Sequence, residues 1–243
     1  GNLQKITFDN TCIAVTENIF IGDYMREQAN LRLKDKSKGL NMGNDTPMLD
    51  DETIFLEDYT DMDFANRIKD CRVDAGAYES ENKDNIKHTT GTKVVNGKTV
   101  ITATYYVTQT GIGSSSGENP DNAACAMKLQ RVLNHAGHTA HALAQNSGLK
   151  FEVIVKVAGY PGKTFVYHAN TLSDSNDPQS YTYVVPYGVT LMGGYNEGLN
   201  GEKANWNEDH RDAAQYMTVF SAIKQGTTTQ DVNGYHALTF GEK

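Results

Sequence analysis

Apolar positions fall into short runs broken by polar residues, and the period of the runs changes along the chain. Ile6–Phe8, Cys12–Val15 and Ile19–Ile21 are separated by Asn, Asp and Thr, the pattern of very short strands with bends between them. A loop-rich stretch follows, carrying NMGNDTPMLDDE and then LEDYTDMDFANRIKD. Residues 80–99 are polar and charged and read as a linker, with an Asn96-Gly97 hairpin turn between KVV and TVI. A strand over Thr104–Thr108 leads into the Gly/Ser loop TGIGSSSGENP.

The next segment has the period of a helix. Asp121 or Asn122 supplies a cap behind Pro120, and Cys125, Leu129, Val132, Leu133 and Ala136 share one face. This predicts a helix near 121–136, ended by Gly137 or carried on by HTAHALAQNSG to Gly148. Beyond it the period shortens. FEVIVKVAGY, TFVYH, YTYVVPYG, VTLMGGY, MTVFSAI and YHALTF are β runs with no second helix between them, an order found in sandwiches, barrels and solenoids. Two of these runs, at Gly159-Tyr160 and Gly193-Gly194-Tyr195, drive a strand into glycine at a corner.

Particular residues carry a resemblance. YYVTQTGIGSSSGENPDNAACAMKLQRVLNHA resembles the opening of right-handed parallel β-helix proteins of the pectin-lyase-like superfamily, where a strand and a Gly/Ser loop precede a capping helix. VIVKVAGYPGKTF and VPYGVTLMGGYNE resemble that family's first coils. TDMDFANRIKDCRVDAGAYE is similar to its closing segment, through Asp61, Arg67, Asp74, Gly76, Ala77, Tyr78 and Glu79. The resemblance implies an all-β fold: a right-handed parallel β-helix of few coils with one capping helix near 121–136. It divides the chain into a closing segment (1–79), a linker (80–99) and an opening segment (100–243). A closing segment ahead of an opening one implies tandem β-helices with open ends. Residues 1–30 are then expected to stack on the last strand, within the chain or between copies.

Composition narrows the function. The 243 residues suit one or two domains, and 38% apolar with 21% charged residues marks a folded chain. No run of eighteen apolar residues exists, so no transmembrane helix is expected. A net charge of −8 argues against nucleic acid as a partner. Three widely spaced cysteines show no zinc spacing and no readable disulfide framework.

The densest acidic run is Asp50, Asp51, Glu52, Glu57, Asp58, Asp61 and Asp63. Oxygen-rich clusters suit calcium, with Asp58, Asp61 and Asp63 as the candidate ligands, although the spacing is not that of an EF-hand and a solvated loop is the favoured reading. His135, His138 and His141 are three apart, a spacing that spreads them round a helix rather than gathering them at one metal. Arg67 with Asp61 and Asp74 is expected to fix the closing loop, and Tyr78 to cover the core end. Asp174, Asp177, Glu208, Asp209 and Asp212 form no recognisable acid/base pair, and no GxSxG, HExxH or P-loop is present. The expectation is a non-catalytic module of a secreted or cell-surface protein that binds polysaccharide or mediates adhesion, with calcium the one candidate cofactor. The alternative is part of a polysaccharide lyase or glycoside hydrolase whose catalytic coils lie elsewhere.

Overall fold

The computed structural model describes residues 32–33, 48–49, 52–53, 61–64, 71, 73–74, 78–79, 86–145, 149–162, 165–169, 176–177, 179–198, 205–222 and 234–241. The chain divides into two units, 1–83 and 84–243. In the first, β1 (Met48–Leu49) and β2 (Glu52–Thr53) form a small antiparallel pair, and Leu33 and Val73 are buried. The strands predicted within residues 6–21, and their stacking on the end of the chain, lie outside the described residues.

The second unit begins with a hairpin. β3 (Thr89–Val95) runs antiparallel to β4 (Lys98–Val107), and its two-residue turn has both Asn96 and Gly97 at positive φ, the geometry that an Asn-Gly turn favours. β4 then pairs in parallel with β5 (Lys150–Gly159). A parallel pair needs a crossover, and residues 108–149 supply it with α1 (Leu129–Gln145). Five strands follow: β6 (Phe165–His168), β7 (Tyr183–Val185), β8 (Val189–Asn196), β9 (Thr218–Ser221) and β10 (Leu238–Phe240). β5 pairs with β8, β6 with β9 and β7 with β10, all in parallel.

α1 buries Leu129, Val132, Leu133, Ala136 and Ala140 against a core that includes Tyr105 and Val107 of β4, Val153, Val155 and Val157 of β5, Tyr167 of β6, and Tyr183 and Val185 of β7. One polar residue joins this apolar stripe. Gln130 Nε2 donates to Val184 O at 3.1 Å, and its Oε1 accepts from Val184 N at 2.8 Å. The helix thus satisfies a backbone pair on β7 as a neighbouring strand would.

This architecture corrects the expected fold class. The described residues form a mixed α/β arrangement of small sheets, with antiparallel as well as parallel pairs, a helical layer, and no closed sheet or solenoid. The period-2 runs identify strands, but period alone does not say which strand pairs with which, or in which direction. A solenoid needs three or more repeats to bury a continuous core; among the described residues only β4, β5 and β8 stack three deep, while β6–β9 and β7–β10 are pairs. The antiparallel hairpin then occupies one edge of the first sheet. The helix is also displaced from 121–136. Residues 120–122 and 126–128 are single 3₁₀ turns, the first capped by Asn119, and α1 runs from Leu129 through Gly137 to Gln145. Cys71 and Cys125 are both disulfide-bonded, which cysteine spacing alone did not reveal.

Gly159 ends β5 under a close approach of the chain. A Cβ there would lie 2.6 Å from the backbone carbon and oxygen of Tyr216, atoms that no rotamer change can move aside. Gly159→Ala is expected to cost about 1–3 kcal/mol, seen as a lower urea midpoint. An unchanged midpoint would show that residues 212–217 shift without cost.

Candidate functional site

The second half of α1 faces a groove. Helical spacing sets Asn134, Gly137, His138, His141 and Ala144 along one side, with Phe151, Pro186, Tyr187 and Gly188 opposite. The groove holds about 550 Å³, within the usual range for small-ligand sites. Gly137 permits it, since a Cβ there would stand 2.6 Å from Pro186 Cβ. Tyr187 is 61% exposed. His138 and His141 are exposed beside it, and Gln145 Nε2 donates to His141 Nε2 at 2.9 Å.

His135, the first of the three spaced histidines, turns the other way. Alternation along β4 points Tyr105 at α1, fully buried. Its hydroxyl meets His135 Nδ1 at 2.8 Å, Thr139 Oγ1 at 2.8 Å and His88 Nδ1 at 3.2 Å. A phenol has one proton to donate, so it can serve only one imidazole in that way. Burial lowers the pKa of both His88 and His135. This cluster ties the hairpin, the sheet and the helix together.

Other aromatic rings are enclosed. Trp206 stacks on Tyr195 at 5.7 Å and meets Tyr106 edge-on at 5.2 Å. Tyr195 and Trp206 are 0% and 8% exposed, so they pack the outer face of the sheet. Lys156 lies with them, donating to Trp206 O at 2.9 Å and standing 3.7 Å from Glu208. Its burial lowers its pKa, and Glu208 opposes that shift.

A carboxylate that sequence reasoning missed lies at the strand ends. Glu197 follows β8 directly and is 3% exposed. Burial pushes its pKa up to about 7, against the pull of the Gln109 and Thr110 N–H groups and the Thr108 and Thr110 hydroxyls. Of these, Gln109 N makes a hydrogen bond to Oε2, at 3.4 Å, and Oε1 has no partner in the protein. In sequence Glu197 is one loop carboxylate among many, and only tertiary burial distinguishes it.

Of the residues singled out by sequence in the first unit, Asp61 and Glu79 accept hydrogen bonds from backbone N–H groups. Asp61 accepts from Asp63 N at 2.8 Å and from Glu79 N at 3.1 Å. Glu79 accepts from Asp74 N at 3.0 Å. Asp61, Asp74 and Glu79 are all buried. Asp63 instead pairs with Arg32, which also lies 4.4 Å from the centre of the Tyr78 ring. Asp58, Arg67 and Gly76 lie outside the described residues. In the second unit Asp177 and Asp212 accept from nearby backbone N–H groups, and Asp174 lies outside the described residues. Among the described residues, no three His, Cys, Asp or Glu side chains gather as metal ligands.

No protein-family model, curated protein or solved structure matches the chain.

Proposed function

We propose that this chain is a non-catalytic, carbohydrate-binding module of a secreted or cell-surface protein, with the groove beside α1 as its binding site. The exposed Tyr187 ring carries this reading. A sugar has an apolar C–H face and a rim of hydroxyls, and Tyr187 offers an aromatic platform for the first. Asn134, His138 and His141 stand around it as hydrogen-bonding groups for the second. Disulfide-bonded Cys71 and Cys125 support an oxidising compartment. No described helix is long and apolar enough to cross a membrane.

The test is calorimetric titration of the full chain with a panel of neutral and acidic oligosaccharides. Saturable binding without cleavage is expected, weakened about tenfold by Tyr187→Ala, the loss of roughly 1.4 kcal/mol that one stacked ring supplies. Equal affinity in Tyr187→Ala, or no binding across the panel, would overturn the reading. Release of unsaturated or reducing-end products would replace the module with an enzyme.

A further inference from the structure

The ends of β4 and β8 leave two buried acceptor oxygens without a donor in the protein, Glu197 Oε1 and Gln109 Oε1. The two residues meet directly, because Gln109 N donates to Glu197 Oε2. The amide of Gln109 is oriented by its own Nε2, which donates to Val166 O at 3.4 Å. Its oxygen is therefore the unpaired end. The Thr108 and Thr110 hydroxyls face the same carboxylate. Thr108 Oγ1 accepts from Gly111 N at 2.9 Å, which holds the loop in place. Thr110 is exposed, giving the spot an edge on solvent.

Buried acceptors without donors are costly. Among the described residues, no Lys, Arg or His is among the groups that act on Glu197. The assembled atoms are a carboxylate oxygen, an amide oxygen and two hydroxyls, all hard donors of the kind that sodium, potassium and calcium take. One positively charged ion would satisfy both orphaned oxygens at once.

We propose that Glu197, Gln109, Thr108 and Thr110 form an oxygen-lined site for a hard cation at the C-terminal ends of β4 and β8. It is independent of the groove and of the acidic run in the first unit. The site would join the loop after β4 to the loop after β8, so filling it should stabilise the second unit.

The experiment is thermal unfolding of the full chain in choline chloride, with NaCl, KCl, CaCl2 or MgCl2 introduced at constant ionic strength. A saturable rise in Tm with at least one ion is expected, and comparison of the salts separates a monovalent site from a calcium site. The rise should vanish in Glu197→Gln and shrink in Gln109→Leu, each read against its own Tm in choline. Gln109→Leu keeps the charge and carries the test alone if Glu197→Gln fails to fold. The same Tm in every salt, or a rise that survives undiminished in the variants, would overturn the proposal. Survival would place the ion on the acidic surface instead.

Discussion

Glu197→Gln is expected to stabilise the protein at pH 8 and to leave it nearly unchanged at pH 5. Burial favours the neutral carboxyl, so the folded chain holds this proton up to about pH 7, whereas the unfolded chain releases it near the ordinary value of 4.5. Between those values the folded state binds more protons, and stability falls as pH rises. The stabilising contribution is complete below about 4.5 and lost once pH passes about 7. A shift of that size corresponds to on the order of 3 kcal/mol. His88 and His135 act oppositely. Their lowered values make the unfolded state the better proton binder below its ordinary histidine pKa, so they cost stability as pH falls. Both proteins carry that contribution, and it cancels in the difference between variant and parent. Urea midpoints at pH 5 and pH 8, in choline buffer so that no hard cation competes, give the comparison. Parallel pH profiles for the two proteins would show that Glu197 is ionised in the fold at pH 5.

Gln130→Leu is expected to lower stability by about 2–4 kcal/mol although it adds apolar surface to an apolar stripe. Gln130 is 8% exposed, and its amide answers both the N–H and the C=O of Val184. Leucine would leave both of these part-buried groups without that partner, at up to roughly 1–3 kcal/mol each. β7 is short and pairs with β10 through its other backbone groups, so the Val184 groups have no strand to turn to. Gln145→Leu, at the exposed end of the same helix, is the control and should change little. Denaturant midpoints decide the matter. A loss below about 0.5 kcal/mol for Gln130→Leu would show that apolar packing alone seats α1 on β7.

Both predictions turn on polar residues that no periodicity separates from their neighbours. Gln130 sits between apolar helix positions and reads as a chance interruption. Glu197 reads as one of several loop carboxylates. Their roles arise from segments distant in sequence: Val184 for Gln130, and the loop after β4 for Glu197. Asp74 and Glu79 lie buried, with Asp74 N donating to the Glu79 carboxylate and Glu79 N to the Asp61 carboxylate. Arg32, some thirty residues earlier in the chain, could not be placed with Asp63 and Tyr78 by any local pattern.

The sequence by itself determined the local elements of the second unit. It marked a hairpin turn at Asn96-Gly97, one apolar helix face containing Leu129, Val132, Leu133 and Ala136, and β runs after the helix. These are readable because the period of side chains on a helix or strand depends only on near neighbours. Tertiary structure decided the start of α1 at Leu129, the antiparallel addition of β3, the pairing of β6 with β9 and of β7 with β10 in two-stranded sheets, and the burial of Glu197. Each of these depends on which segments meet. Pairing direction, desolvation and close approach of backbones are set by contacts far apart in the chain, and a period carries no record of them.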